Sequence, residues 1–485
     1  MKQGRWRSIG YWLGFLLLLT GAGFLLFSRL GDFVICECDE ARHGANAYEM
    51  LQSGNYVVST YEGEVDYFNL KPPLSFYGIM LGYRLFGFTA LGLRFYSALS
   101  MFLCIAIVAL WLKRRCGGIA SLGSLLFFIG CFAIYGRHFA RFGDADALMT
   151  LFYTVGILCM LDSRRKIRYL YGTALCFGLA FMAKSWHAAL LPVTCLIYLC
   201  VTRDIRRLRL RHYAGLIAFG LAPVLPWAIA RYQRDGFAFI SQMLSRDVVD
   251  RASTVIENHS GNWSYYLTCL LNMPAVVTVC LLGLAAWILN RLDGRKFQFS
   301  ASGWGVALWI LVPLVLYSLC ASKLEWYIYI CLPGFAVMAG LCLQALLTGR
   351  KGWSRWAAAA CALTGCILLS VWAVGNWDFI QNHLVDDDAY QRLIAGYFDR
   401  DANSGDHIYI EYEQSDADRT WIQDDYLTAL YAGDLVCLPG GADAFEADEE
   451  HAYLICHKTG MNWDLLEEYP VVAEDHPLLL LENLN

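Results

Sequence analysis

The feature that most constrains this chain is a succession of apolar runs, each close to the length a helix needs to cross a hydrocarbon core about 30 Å thick. Eleven can be read, near residues 9–29, 91–112, 118–136, 146–161, 168–183, 186–202, 213–231, 265–289, 302–320, 326–346 and 355–374. Without water in the bilayer interior, such a chain must satisfy its backbone within helices. Composition excludes a soluble reading: 57% of the 485 residues are hydrophobic and 17% charged, against about 45–50% apolar and about 25% charged in soluble domains. The first run is too long for a removable signal, and no small-residue cleavage site follows it. Disorder, coiled coil and disulfide-stapled scaffolds are excluded by the same pattern. A net charge of −5 argues against a nucleic-acid partner, which demands a basic footprint. The expected fold class is a mainly α, polytopic membrane helical bundle of about eleven spans, with a small C-terminal α/β domain outside the membrane.

Lys and Arg give the orientation. They gather at the N-terminus (Lys2, Arg5, Arg7), at Lys113-Arg114-Arg115, at Arg164-Arg165-Lys166 with Arg168, and at Arg203–Arg211. Further groups stand at Arg291–Lys296 and at Arg350-Lys351 with Arg355. With eleven spans all these loops fall on one side, which the positive-inside rule makes the cytoplasm. The other face receives loop 30–90, loop 232–264 and the tail from about 375. The reading therefore divides the chain into a membrane domain, 1–374, and an acidic extracytoplasmic domain, 375–485. That tail holds 25 of the 43 acidic residues and only four basic ones, Arg392, Arg400, Arg419 and Lys458. Its apolar runs His407–Tyr412, Ala452–His457 and Pro477–Glu482, with helix-like Asp424–Ala432, predict mixed α/β structure. Most of the 18 cysteines lie inside spans, where they serve as small apolar residues. Cys437 and Cys456 sit in the tail and would be able to pair if that compartment oxidises. No cysteine or histidine spacing fits zinc. No Gly-rich phosphate loop, nucleophile elbow or internal repeat is present.

Ionisable groups crowd the external ends of the spans. Loop 30–90 opens with Asp39-Glu40-Ala41-Arg42-His43, continues through Tyr67-Phe68 and Asn69-Leu70-Lys71-Pro72-Pro73, and ends in the amphipathic segment Leu74–Phe86. The next external turn carries Arg137, His138, Arg141, Asp144 and Asp146, and Lys184 with His187 marks another. Loop 232–264 adds Arg246, Asp247, Arg251, His259 and Trp263, and the turn after the ninth run adds Lys323 to Tyr329. Each has a plainer explanation when taken singly. A span-end Arg or Lys is ordinarily a snorkelling anchor, Tyr and Trp form interfacial belts, and Asp144 or Asp146 can cap a helix N-terminus. Their gathering on one face from five loops is harder to explain that way, because ionisable groups at membrane depth are functional candidates. Carboxylates beside several cations suit a negatively charged, lipid-linked substrate. The cations would hold a phosphate, and a carboxylate would take a proton from an attacking hydroxyl. Spacing alone leaves a membrane enzyme or a transporter with an external polar site.

At these residues the chain resembles the polyprenyl-phosphate-dependent GT-C glycosyltransferases, specifically the protein O-mannosyltransferase and aminoarabinose (lipid A) transferase family. The resemblance covers roughly residues 10–345. It is carried by Asp39-Glu40-Ala41-Arg42, Tyr48-Glu49-Met50-Leu51, Ser53-Gly54-Asn55-Tyr56, Tyr67-Phe68, Lys71-Pro72-Pro73-Leu74 and Arg94–Leu99. Arg141 with Asp146–Thr150, Ala183-Lys184-Ser185, Pro226-Trp227, Arg251, His259 with Trp263, and Tyr327, Tyr329 and Pro333 follow in order. Departures from the family pattern are Asn69-Leu70 before the loop lysine, Arg246-Asp247 in the arginine-bearing loop, and His43 where Tyr is usual.

The resemblance implies an integral-membrane, inverting glycosyltransferase. It would move a sugar from a polyprenyl (undecaprenyl) phosphate donor to a protein, lipid A or glycan acceptor, on the outer face of the cytoplasmic membrane. It implies catalytic roles for Asp39, Asp146 and Glu40, and donor-phosphate contacts from Arg42, Lys71, Arg251 and Lys184. Tyr67, Tyr327, Tyr329 and His259 would line the substrate groove. No cofactor is implied beyond a possible divalent metal ion. The rival readings are a transporter or flippase of lipid-linked sugars, whose sites lie near the bilayer midplane, and a non-catalytic lipid-sugar binding protein.

Overall fold

The computed structural model describes residues 2–36, 38–246, 253–254, 259–295, 300–384, 388–412, 421–458 and 463–484. The chain is mainly helical. Helix α1 (Lys2–Phe27) enters the bundle, and a loop with two short helices follows: α2 (Asp39–Ser53) and α3 (Leu74–Phe86). A two-stranded ribbon, β1 (Thr60–Tyr61) with β2 (Glu64–Val65), lies between them. Then come α4 (Ala90–Arg115), α5 (Gly118–Gly130), α6 (Asp146–Asp162), α7 (Tyr169–Lys184), α8 (Leu190–Val201), α9 (Leu210–Leu221) and α10 (Val224–Asp235). Longer helices at Pro274–Leu292, Ala301–Leu319, Leu332–Leu347 and Gly352–Asn382 complete the bundle.

All eleven apolar runs are helical, but they do not all make simple spans. Among the described residues, seven helical stretches are long and apolar enough to cross a membrane, and up to eight if the bent pair α9–α10 counts as one span. Proline accounts for two of the interruptions. Pro223 stands where α9 and α10 bend by 53°, and Pro274 opens the helix that follows a break at Asn272-Met273. Without an N–H, proline cannot continue the preceding helix. The third run keeps α-helix only to Gly130 and passes into a short 3-10 turn at Phe132–Ile134. The last run extends beyond its expected end, to Asn382, where Gln381 donates to the Ser28 hydroxyl at 3.0 Å.

The run Tyr169–Val201 is a hairpin. A straight helix of 33 residues would be about 50 Å long. Yet Arg164 before it and Asp204 after it form an ion pair at 2.9 Å. The chain reverses at Ser185, whose φ is +56°. This puts the 164–168 and 203–211 loops on one side, where Arg115 also pairs with Asp162 at 2.6 Å and Arg350 with Asp293 at 2.7 Å. The loops richest in Lys and Arg thus face one way.

Helices in a bilayer gain little from hiding apolar surface from each other and associate through close packing. Here α5 meets Leu332–Leu347 backbone to backbone: a Cβ on Gly340 would stand 2.2 Å from the Ala120 carbonyl oxygen. Helices α3 and α4 meet in the same way, with a Cβ on Gly82 falling 2.0 Å from the Gly92 carbonyl oxygen.

The C-terminal part holds a five-stranded sheet of order β4-β3-β5-β7-β6: β3 (His407–Ile410), β4 (Val436–Cys437), β5 (Ala452–His457), β6 (Val471–Asp475) and β7 (Leu478–Asn483). Strand β3 pairs in parallel with β4 and β5, and β7 pairs antiparallel with β5 and β6. The period-2 alternation of strands buries both faces. Ile408, Ile410, Tyr453, Ile455, Leu478 and Leu480 point one way, into a core shared with α2, α3 and helix Gln423–Gly433. Tyr409, Leu454, Cys456, Leu479 and Leu481 point the other way, under helix Gly441–Glu446. The strands β3, β5 and β7 and the helix at 423–433 fall on the apolar runs read from the sequence. The two tail cysteines cannot pair. Cys437 lies opposite Ile408 on β4, while Cys456 follows Ile455 on β5, the strand on the other side of β3. Two strand spacings are about 9.5 Å, beyond the Cα separation of about 7 Å that a disulfide bridges.

Candidate active site

A cavity of about 520 Å³ opens at the face opposite the basic loops. Its floor and walls come from the first loop (Val34, Ile35, Cys36, Cys38, Asp39, Arg42, Phe68, Asn69, Leu70, Lys71), from Arg137, His138, Lys184 and His187, and from Arg246, His259, Leu324, Trp326 and Tyr327. The C-terminal part supplies the remaining wall: Asp388, Gln391, Gln423 and Asp424.

Asp39 begins α2, at the end of the helix where the backbone dipole favours an anion. Its side chain is 39% exposed and accepts from Lys71 Nζ at 3.1 Å. Lys71 also donates to Asn69 Oδ1 at 3.2 Å, so the Asn-Leu-Lys-Pro-Pro turn aims its lysine at the carboxylate. Burial would raise the Asp39 carboxyl, but the charges of Lys71 and Lys184 and the Lys71 hydrogen bond hold it well below the usual carboxylate range. One turn on, His43 is buried against Phe76, and its pKa is pushed down to about 3 by burial and by Lys71. It is a neutral imidazole.

The adjacent carboxylate has a different setting. Glu40 is fully buried and accepts from Arg94 Nε and Nη2 at 2.8 and 2.9 Å, from the Gly143 amide at 2.7 Å and from the Cys36 amide at 2.9 Å. Those four bonds occupy both oxygens, and Glu40 does not line the cavity among the described residues.

The second acidic motif is buried at both of its carboxylates. Asp146 begins α6, is buried, and is paired with Lys184 in a short contact. Asp144, two residues earlier, turns toward Asp39. One ligand atom each from Asp39, His138 and Asp144 lies within 4.8 Å of the others. His138 Nδ1 is 3.3 Å from Asp144 Oδ2 and its ring stacks on Trp326 at 4.0 Å. Both carboxylate oxygens of Asp144 are buried, with His138 beside them. Burial, with the charges of Asp39 and Asp146, raises the Asp144 carboxyl against the opposing pull of His138. Two carboxylates and an imidazole form an oxygen-and-nitrogen set that fits a divalent cation.

The expected phosphate ligands separate by how firmly they are already held. Lys71 is part-exposed in the cavity. Arg42 lines it too, but its fork is closed on Asp66 by two bonds of 2.9 Å and stacked between Tyr61 and Phe68, at 4.1 and 4.6 Å. Lys184 reaches the cavity from its pair with Asp146 and stands 5.5 Å above the Tyr327 ring. Arg251 lies outside the described residues. Of the groove residues, Tyr327 and His259 line the cavity. Tyr329 lines a neighbouring one of about 400 Å³, which shares Arg137, His138 and Trp326 with the first. Tyr67 turns away and donates to Asp235 at 3.3 Å, leaving Phe68 on the cavity wall. Arg141 also has a different use from the one its place in the turn suggests: it caps α1, donating to the carbonyls of Leu25, Leu26 and Ser28 at 2.6, 3.1 and 2.8 Å. Among the cavity residues that sequence reasoning did not single out are Asp388, Gln391, Gln423 and Asp424, which come from the far end of the chain.

A family model described as dolichyl-phosphate-mannose-protein mannosyltransferase matches residues 70–229. Among curated proteins, the chain is similar to an undecaprenyl phosphate-alpha-4-amino-4-deoxy-L-arabinose arabinosyl transferase of Pseudomonas fluorescens, 30% identical over 353 residues, covering 69% of this chain and 60% of that protein. It is similar to one of Pseudomonas aeruginosa at 30% over 354 residues, with the same coverage of 69% and 60%. The chain therefore spans about 60% of the length of these curated relatives. In fold it matches ArnT from Cupriavidus metallidurans bound to undecaprenyl phosphate, with a TM-score of 0.71 at 17% identity over 97% of this chain and 98% of that one. It also matches the archaeal oligosaccharyltransferase AglB from Archaeoglobus fulgidus, with a TM-score of 0.53 at 11% identity over 92% of this chain and 69% of that one.

Proposed function

We propose, for a chain that is a homologue of these polyprenyl-phosphate-dependent GT-C glycosyltransferases, that it transfers a sugar from undecaprenyl phosphate to an envelope acceptor, with lipid A as the first candidate. The carrying observation is the cavity at one membrane face, where an ionised Asp39 stands among Lys71, Arg42, Arg137, Lys184 and Arg246, with Trp326, Tyr327 and Leu324 beside them. Cations suit a lipid phosphate, and the aromatic side suits the first isoprene units. The basic loops on the opposite face support a site on the outer side of the cytoplasmic membrane. The first 374 residues act as the transferase bundle and the rest as an outer α/β unit.

In the reaction, the acceptor oxygen attacks the anomeric carbon as the bond from that carbon to the phosphate oxygen breaks. The electron pair leaves on the phosphate, and the acceptor proton passes to Asp39. A single displacement of this kind inverts the anomeric centre. Lys71 serves both halves of the step. Without donor it holds the Asp39 carboxylate and keeps it a weak base. A bound phosphate competes for the ammonium, so Asp39 gains basicity as the donor arrives, and Lys71 then stabilises the charge that builds on the leaving group. Arg137 and Arg246 complete the cradle. Asp39, His138 and Asp144 would hold a divalent ion, which when bound neutralises phosphate charge. Asp146 positions Lys184, and Glu40 with Arg94 fixes the loop that carries Asp39, so both act on structure rather than on the reacting atoms.

The test is release of undecaprenyl phosphate from its 4-amino-4-deoxy-L-arabinose and mannose conjugates, with lipid A present, by wild type and Asp39→Asn. Release by wild type alone supports the reading, and the faster conjugate identifies the sugar. Equal release by both proteins, or none by either, overturns it.

A further inference from the structure

Among the described residues between α1 and Asp39 there is no regular secondary structure, and side chains reaching the backbone there fix its course. Arg141 holds the carbonyls at the end of α1. Arg94 donates to the carbonyls of Leu30, Phe33 and Val34 at 3.2, 2.9 and 2.6 Å. Glu40 takes the Cys36 amide. These three clamps belong to the bundle.

The fourth clamp comes from the C-terminal part, 356 residues away in sequence. Gln391 Oε1 accepts from the Ile35 amide at 2.9 Å, and Gln391 Nε2 donates to the Ile35 carbonyl at 2.9 Å, as a neighbouring strand would. The second Nε2 hydrogen goes to Asp424 Oδ2 at 2.9 Å. Gln391 is buried. It lies in the first turn of helix Ala389–Tyr397, where its own amide donates to Asp388 at 3.0 Å. Ile35, Asp388, Gln391 and Asp424 all line the Asp39 cavity. The contact needs one acceptor and two donors on a side chain of this length, which only glutamine offers. Glutamate has the same size but sets a second carboxylate oxygen against the Ile35 carbonyl and the Asp424 carboxylate.

We propose that Gln391 is a positioning residue, through which the C-terminal α/β part sets the backbone at Val34–Cys36 and thereby the placement of Asp39. The inference rests on the transferase reading above. Both its chemistry and its place in the chain follow from this contact: the outer part completes the active-site loop as well as covering it.

The experiment compares the full-length wild type with Gln391→Ala, Gln391→Glu and the control Arg392→Ala, whose side chain points out to Asp475. Turnover of the undecaprenyl phosphate conjugate, its KM, undecaprenyl phosphate binding, melting temperature and amide exchange at 33–38 are measured. The expected result is a tenfold or larger fall in kcat for both Gln391 variants, with donor binding within twofold, and faster exchange at Ile35. Arg392→Ala should match wild type. Full kcat in Gln391→Ala overturns the inference, and so does a fall that tracks lost donor binding and melting temperature. Should Ala not fold, Gln391→Asn, one methylene short, carries the same expectations. A wild type without turnover overturns the transferase reading instead. The exchange arm then decides this inference alone, and unchanged protection of Ile35 refutes it.

Discussion

Two lysine–aspartate pairs sit at the membrane face of this chain, and their surroundings give them different work. In the Lys71–Asp39 pair the carboxylate side chain is 39% exposed and lies 3.1 Å from the ammonium, inside the cavity. In the Lys184–Asp146 pair the side chains are 5% and 4% exposed and in closer contact. An accessible pair can be opened by an incoming phosphate at small cost. A sealed pair cannot, because each charge left alone would face a low dielectric. The same two residue types thus make a reactive site in one place and a fixed support in the other. Glu40 with Arg94 repeats the sealed arrangement one residue from Asp39, with both side chains at 0% exposure.

The largest effect expected is on activity at the open pair. Asp39→Asn should cut turnover by about 10²–10⁴-fold, the usual weight of a general base, with melting temperature and undecaprenyl phosphate binding near wild type. Asp146→Asn should do the reverse in kind. It strands Lys184 in a buried site, and breaking one side of a buried pair costs about 3–5 kcal/mol. Activity should then fall only as the folded fraction falls, read by chemical denaturation in detergent. The double variant Asp146→Leu with Lys184→Met should recover much of that stability, because a well-packed apolar replacement removes the stranded charge. If Asp146→Asn kept its stability and lost turnover, the comparison would fail and Asp146 would return to the reaction.

These differences mark how far the sequence could be read. The apolar runs were legible because a bilayer forces helices, and the strands β3, β5 and β7 because short apolar stretches in an acidic tail need a sheet to pair on. Span number was not legible where Pro223 and Pro274 break helices whose composition is unbroken, whereas the reversal at Ser185 falls between the runs 168–183 and 186–202, at the turn that Lys184 and His187 marked. Asp39 and Glu40 could not be told apart: neighbours on a helix point about 100° apart, and tertiary packing chooses which one meets Arg94. Asp144 and Asp146 pose the same difficulty two residues apart, and there the motif drew attention to the member paired with Lys184 rather than the one beside Asp39 and His138. Gln391 gave no signal at all. A neutral residue in an acidic tail shows its use only when the fold sets it beside Ile35.

The smallest effect expected concerns a third carboxylate, intermediate between the open and sealed pairs. Asp66 is buried and accepts both bonds from Arg42, one from Asn46 at 2.9 Å and two from the amides of Phe68 and Asn69 at 2.8 and 3.0 Å, but its arginine still lines the cavity. Burial alone would raise its carboxyl, and the Arg42 bonds and charge, with Asn46 and the Asn69 amide, bring it below the ordinary value instead. A depressed carboxyl contributes stability that is present above its unfolded pKa, about 3.9, and is lost as pH falls through the folded value. Asp66→Asn should therefore cost about 1.5–3 kcal/mol near neutrality, the range for hydrogen bonds to charged groups, which is less than breaking the sealed pair. The gap between wild type and Asp66→Asn should stay level from pH 7 to about 5 and narrow below about 3.9. A gap that widened in acid would mean that Asp66 is protonated in the folded chain, and that Arg42 is free to swing onto the donor phosphate. The Lys71 pair would then not be the only one that substrate opens.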